Sequence, residues 1–338
     1  FPALQRLKRH FPAARLAVLA GPWARDVWRL EPAVDEVIEF AFYHARSSRG
    51  MRRVPGRALD ALRARLAPCR FDLAIDLRKV PDTRHVLQHT GARCLAGFDH
   101  GGRFPWLDVA LEWDADPPLV GKRQAVSGDL VNLVDAVAAA CEPYVAPVAP
   151  VARAAGGATR LPARLFARPV VCVHPAAGNV MRQWPAAHFA ALIDLLAERA
   201  QVHVALIGGE EDRGVAAAVL AATRQRERVF SLVGKLALRD LPALLRRSVL
   251  FVGNNSGPKH LANALGVPTV AVHSGVVDTV EWGPAGPSAV AVRRAMSCAP
   301  CYLEKAADCP RGLECLTGLM PIEVYRACER LGVLNARL

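Results

Sequence analysis

A chain of 338 residues, 52% hydrophobic and 22% charged, is too apolar for disorder and too long for one small core, so two globular domains are expected. No uninterrupted apolar run reaches the roughly 18 residues that a membrane span needs; the stretch from His260 to Val277 is broken by Asn263, Gly266, Pro268 and Gly275. The net charge of +12 comes mainly from arginine in an Ala- and Arg-rich background, and without interleaved aromatics it argues against a nucleic-acid platform.

In chain order, residues 1–145 read as repeated helix and strand pieces. An amphipathic "PALQRLKRHFP" precedes a strand "ARLAVLAG", and "VDEVIEF" follows as a second strand. Next comes an arginine cluster, Arg46, Arg49, Arg52, Arg53, Arg57, Arg63 and Arg65. It reads either as a solvated helix face or as a patch drawn to an anionic membrane surface. The helix "GRALDALRARLAP", the strand "FDLAIDL" and the helical run "GDLVNLVDAVAAAC" complete the segment. Strands ending at Gly21 and Asp76 would open toward one edge of a parallel sheet, where α/β proteins bind ligands.

Residues 143–169 are rich in Pro, Ala and Gly without any period, which marks a linker over 146–169. A second α/β set spans 170–320: "VVCVHPAAG", a helix from Ala186 to Arg199, "VHVALIGG", a helix after Glu210, "SLVG", "LRDLPALLRRS", "VLFVG" and "TVAVHSG". A helical tail over 321–338, Pro321 to Leu334 at its heart, is free to cross back onto the first domain. Alternating elements of this kind predict an α/β fold of two Rossmann-like domains facing a central cleft, a GT-B-like architecture with the ligand in the cleft.

Three loops of the second set carry chemistry. In "GNNSGPKHLANALG" a strand runs into Asn255, Ser256 and Gly257, with Pro258 in a first helical turn. Ser256 suits the N-cap, and small residues let the backbone approach a ligand. Free N–H groups at a helix start favour a phosphate, and Lys259 and His260 would add donors or charge. The alternative is an ordinary capped helix with a solvated Lys and a satisfied His. In "VCVHPAAGNVMRQWP" a second strand delivers His174, Gly178, Asn179 and Arg182 toward the same edge. In "LIGGEEDR", Glu210 and Glu211 follow a strand, where carboxylates suit ribose hydroxyls or simply meet the helix dipole. Two donor-rich loops and one acidic loop suggest a nucleotide diphosphate.

The segments "RQWPAAHFAALIDLL", "VALIGGEEDR", "SLVGKLALRDLPALLRRS" and "NNSGPKHLANALGVPTVAVHSG", with "PALQRLKRHFPAARLAVLAGPW" and "FDLAIDLRKVPDTRHVLQHTGAR" earlier, resemble the family 9 glycosyltransferases, the heptosyltransferases of lipopolysaccharide. The resemblance runs from Phe1 to about Leu334. It implies a GT-B fold and an inverting transfer, independent of metal and of any catalytic cofactor, from a nucleotide-diphosphate sugar, usually ADP-heptose, held by the C-terminal domain. Ser256 and Gly257 match the family's phosphate loop, His260 its His before Leu, Arg182 its Lys before Trp-Pro, and Glu210 or Glu211 its ribose-binding acid. The acceptor would be a glycan, a lipid-linked glycan or a protein, reached in the cytoplasm or peripherally at the inner face of the membrane, with no role for nucleic acid.

Two departures stand out. Asn255 replaces the Asp that often precedes the phosphate-loop hydroxyl. The family's first strand, with the Gly-Asp loop that carries its general base, has no counterpart after Phe1, so residues upstream of Phe1 are expected to supply both. Within the chain, Asp76 is the substitute base or an acceptor-positioning group, the alternative being an Asp that caps the next turn. Arg78, Lys79, Arg84 and His100 are candidates for an anionic acceptor, and Trp23 and Trp282 for stacking on a sugar.

Of nine cysteines, Cys69, Cys94, Cys141, Cys172 and Cys328 are scattered as small hydrophobes usually are. Cys298, Cys301, Cys309 and Cys315 crowd together as C-x2-C-x7-C-x5-C. They read as a structural four-thiolate site for Zn or Fe, as free thiols, or as two disulfides, which the cytoplasm disfavours. The expected activity is glycosyl transfer, plausible donor sugar heptose. The competing readings are a nucleotide-sugar epimerase on the same scaffold and a non-catalytic module that binds a nucleotide-sugar or a partner.

Overall fold

A computed structural model describes residues 1–42, 54–113, 125–141 and 161–334. They fall into two units, one within 1–141 and one within 161–334. Arg46, Arg49, Arg52 and Arg53 lie outside the described residues, as does most of the expected linker.

Unit 1 contains α1 (Pro2–His10), β1 (Ala17–Ala20), α2 (Arg25–Trp28), β2 (Glu36–Glu39), α3 (Gly56–Leu66), β3 (Leu73–Asp76), β4 (Cys94–Asp99), β5 (Val109–Glu112) and α4 (Val126–Cys141). A 3-10 segment, Pro81–His89, joins β3 to β4. Helix α1 forms because Ala3, Leu4 and Leu7 share one face, and its last turn ends on Lys8, Arg9 and His10 at the negative end of the dipole. That face packs with Val134 of α4. The strands form two parallel sets, β1 with β2 and β3 with β4 and β5.

Unit 2 contains β6 (Val170–His174), α5 (Ala186–Ala200), β7 (His203–Leu206), α6 (Arg213–Ala222), β8 (Val229–Ser231), α7 (Leu241–Leu245), β9 (Leu250–Asn254), α8 (Gly257–Ala264), β10 (Thr269–Val272), α9 (Thr279–Trp282), β11 (Ala289–Val292), α10 (Glu314–Thr317) and α11 (Pro321–Arg330). Its six strands are parallel, in the order β11-β10-β9-β6-β7-β8. The inner strands β6 and β9 are buried at every residue, as strands covered on both faces must be. Helix α5 places Phe189, Leu192, Ile193 and Leu196 on one buried stripe.

Two expectations about boundaries change. The described end of the presumed linker, 161–169, holds a 3-10 turn, Ala163–Ala167, that buries Leu165 completely in unit 2. Its Pro- and Ala-rich composition hides that anchor. Helix α11 belongs to the unit 2 core, where Val324, Tyr325, Ala327 and Cys328 join the stripe of α5. No helix among the described residues is long and apolar enough to cross a membrane.

Candidate functional site

The sheet of unit 2 fixes where a ligand belongs. From β6 the chain runs outward through β7 to β8, then returns to β9 and runs outward the other way to β11. The carboxyl ends of β6 and β9 are therefore neighbours at a topological switch point, the usual ligand crevice of an open α/β sheet. His174 lies opposite Gly253 in that pairing. A Cβ at Gly253 would sit 3.0 Å from the His174 carbonyl oxygen and 2.9 Å from the Phe251 ring, so any side chain there would force these neighbours to shift.

The loop after β6 is sewn to β9 by Asn254, which is fully buried. Its Oδ1 accepts from the Trp184 backbone N–H at 3.0 Å, and its Nδ2 donates to the carbonyls of Pro175 and Ala176 at 2.8 and 3.2 Å. Trp184, also buried, donates its indole N–H to the Leu319 carbonyl at 3.0 Å. Asn179 spends its side chain locally, accepting from Met181 N at 2.9 Å and capping the turn that ends at Arg182. Gly178 lies beside it, half-buried.

At the loop after β9, Ser256 holds the N-cap position of α8 in extended backbone but makes no side-chain cap. Its hydroxyl instead donates to the Asn254 carbonyl at 3.2 Å and meets His174 Nδ1 at 3.0 Å. The expected serine cap is thus replaced by a link between the two loops. First-turn N–H groups of α8 are left without a capping side chain, which suits an anion. Pro258 sits in that turn and contributes no N–H.

Lys259 departs from the solvated lysine weighed above. It is fully buried, and its ammonium donates to Asn255 Oδ1 at 2.6 Å and to the Trp282 carbonyl. Burial, reinforced by Arg182, pushes its pKa down to about 7. His273, just past β10, is buried with both ring nitrogens lacking a hydrogen-bond partner among the described residues. Burial and then Lys259 push it down to about 3. The charged groups that press most on Lys259 and His273 are themselves cations. His260 stacks edge-on to Trp282, with ring centroids 6.3 Å apart.

The acidic loop divides its labour. Glu210 pairs with Arg213 at 2.6 Å on an exposed surface, whereas Asp212, two residues on, accepts from Gly209 N at 2.9 Å and lies 3.8 Å from His174 Nε2. Glu211 is exposed beside Gly209. Asn254, Asp212 and His273 are the site residues that sequence reasoning missed. The Asn-Asn doublet and the Glu-Glu-Asp run were visible signals; nothing in "AVHSG" marks a buried, unpartnered histidine.

In unit 1, Asp76 ends β3 with its carboxylate already engaged. Oδ1 accepts from Arg78 N at 2.9 Å; Oδ2 accepts from Thr83 Oγ1 at 3.0 Å and pairs with Arg84 at 2.8 Å. Burial nonetheless pushes its pKa up, against the pull of Arg84. Arg84, fully buried, also donates to the carbonyls of Asp76 and Arg78 at 3.0 and 2.8 Å. Lys79 pairs with Asp129 at 2.7 Å over the Trp113 ring, Arg78 with Asp82 at 3.0 Å, and His100 Nε2 with the Lys79 carbonyl at 2.8 Å. The side chains expected to greet an acceptor thus form an internal network. Trp23 and Trp282 are partly exposed.

The four-thiolate cage expected of Cys298, Cys301, Cys309 and Cys315 does not form. Among the described residues no three His, Cys, Asp or Glu side chains group so as to hold a metal ion. The four thiols share one lobe, close enough for the others to help raise Cys315, whose main shift comes from burial. They face differently, however: Cys315 is buried on α10, Cys298 is exposed, and Cys309 accepts from Leu313 N at 3.4 Å.

Comparison with known proteins agrees with this geometry. Residues 59–309 match the model of glycosyltransferase family 9 (heptosyltransferase). The lipooligosaccharide heptosyltransferase 2 of Haemophilus influenzae is 25% identical over 280 residues, 80% of this chain and 77% of the relative. The Escherichia coli lipopolysaccharide heptosyltransferase 3 is 32% identical over 114 residues, about a third of either chain. Among solved structures, the E. coli ADP-heptose lps heptosyltransferase II superposes with a TM-score of 0.67 at 19% identity, covering 98% of this chain and 93% of its own. The shared fold is GT-B.

Proposed function

The chain belongs to glycosyltransferase family 9, and on that premise we propose that it transfers a heptose from ADP-heptose, with inversion, to a lipopolysaccharide-type acceptor. The observation that carries the reading is the meeting of two loops at the unit 2 switch point, where the start of α8 lacks a side-chain cap and stands beside buried Lys259. In this reading the diphosphate lies against the first turn of α8, with Arg182 and Lys259 facing its charge and Glu210 or Glu211 reaching the ribose. The acceptor hydroxyl attacks the anomeric carbon, its proton passes to a base, and the bond to the β-phosphate oxygen breaks. Cations and N–H groups that hold ADP also stabilise the charge it gains on leaving.

Asp76 already has three donors on its carboxylate, so we assign it to anchoring the turn after β3. The chain works, on this proposal, at the inner face of the membrane, where its charge of +12 favours anionic lipid.

Gly257→Val tests the donor site cleanly. A Cβ at Gly257 would meet nothing within 4 Å, so the fold should accept the side chain. A ligand approaching that backbone would not. ADP affinity is expected to fall by about 5- to 30-fold, about 1–2 kcal/mol, with an unchanged melting temperature. Calorimetry that finds equal ADP affinity in the variant, or none in the parent, removes the assignment.

A further inference from the structure

Three side chains of unit 2, each delivered by the end of a different strand, meet at the switch point. His174 ends β6, Asp212 follows β7 and Ser256 follows β9. β6 lies between the other two strands and pairs with both, so a residue at its end is placed to touch both outer loops. His174 does so. Its Nδ1 is 3.0 Å from Ser256 Oγ, and its Nε2 is 3.8 Å from Asp212 Oδ2. His174 is buried and the Asp212 side chain keeps only 13% of its surface, so solvent screens the pair little.

The proton count fixes the direction of these bonds. A serine hydroxyl has one proton. Here it goes to the Asn254 carbonyl at 3.2 Å, which can only accept. Nδ1 is therefore the donor to Oγ. Nε2 faces a carboxylate, which when ionised also can only accept, so a doubly protonated ring is the form that satisfies both neighbours. Asp212 is itself held in place, because Gly209 N donates to the same Oδ2 at 2.9 Å. Gly208 lets the carboxylate come close: a Cβ there would sit 3.0 Å from Oδ2.

We propose that His174 is a positioning residue: charged by Asp212, it holds the Ser256 oxygen at the start of α8 while the hydroxyl proton turns from the Asn254 carbonyl to a phosphate oxygen of the donor. This role rests on the donor site proposed above, and adds to it two residues that act through Ser256. It explains why Ser256 forgoes the side-chain cap that its N-cap position allows. A serine that capped α8 would occupy an N–H that the phosphate can use. One held by His174 leaves both the N–H groups and its own proton to the ligand. Asp212 thus belongs by sequence with Glu210 and Glu211, the exposed carboxylates offered to the ribose, and by contact with the phosphate loop.

That split supplies the test. Affinities for ADP and for inorganic pyrophosphate are measured by calorimetry on the parent, Asp212→Asn, Ser256→Ala and the double variant. Asparagine keeps an oxygen for Gly209 N but carries no charge. Asp212→Asn should weaken ADP and pyrophosphate by the same factor, about three- to tenfold. In the Ser256→Ala background the same substitution should change ADP affinity by less than about twofold, because the oxygen it acts through is gone. If Asp212 only shapes its own loop, ADP weakens more than pyrophosphate and the effect is the same with or without Ser256; either result overturns the proposal. A parent that binds neither ligand removes instead the donor site beneath it. Nitrogen NMR of the free protein gives a reading independent of ligand: His174 should carry a proton on Nδ1, and a bare Nδ1 also overturns the proposal.

Discussion

Arg84→Met is expected to destabilise unit 1 by about 3–5 kcal/mol, the range found when one partner of a buried ion pair is removed. The guanidinium is wholly inaccessible and holds three oxygens at once, one carboxylate and two carbonyls of the turn after β3. Gly97 on β4 is its counterpart, since a Cβ there would sit 2.8 Å from Arg84 Nη1. Methionine fills the volume but leaves the Asp76 carboxylate buried without its ion-pair partner. Burial already raises the Asp76 pKa, and losing Arg84 raises it further. A carboxyl whose folded pKa lies above its unfolded one binds protons more tightly when folded, so the variant should lose less stability in mild acid than above neutrality. Asp76→Asn added to Arg84→Met should recover part of the loss, because the stranded charge is gone. Denaturant titrations of the parent and both variants measure this. A cost below about 1 kcal/mol for Arg84→Met would show that the turn is held by something else.

That cluster also shows what a sequence can and cannot disclose. The strand "FDLAIDL" and the helix "GRALDALRARLAP" were legible because an apolar run and a helical period report burial directly. The donor loops were legible because glycine, proline and amide residues at a strand's end restrict the backbone to a few uses. For Arg78, Lys79 and Arg84 the sequence shows charge but not pairing, because only the fold supplies Asp82, Asp129 and Asp76 as partners. Lys259 was ambiguous in the same way, because its burial depends on α9, whose Trp282 carbonyl accepts its proton from 23 residues away. The cysteine spacing suggests a cage, but among the described residues no group of three or more such side chains comes together to hold a metal ion. The tail was legible as a helix, but the stripe that draws α11 into unit 2 is set by α5.

Affinity for ADP should depend on pH through Lys259. With its pKa pushed down to about 7, this ammonium is largely neutral in the free protein at pH 8. A bound diphosphate favours the charged form, so binding above pH 7 must take up a proton. Below that value Lys259 is already charged and the affinity should be flat from this source. Above it, Kd should rise by up to about tenfold per pH unit, hence up to about 100-fold between pH 7 and 9. His273, held near 3 by burial and by Lys259, stays neutral throughout and contributes no slope. Stability carries the complementary signature. A lysine whose folded pKa lies below its unfolded one penalises the fold while both states are charged, and that penalty is relieved as pH rises from about 7 toward the lysine's ordinary 10.5. The free protein should therefore melt higher at pH 9 than at pH 7 just as it binds ADP more weakly. Calorimetry in buffers of different ionisation enthalpy counts the protons taken up. Lys259→Met should bind weakly at every pH with no proton uptake, and if the parent shows the same flat profile, Lys259 does not meet the diphosphate.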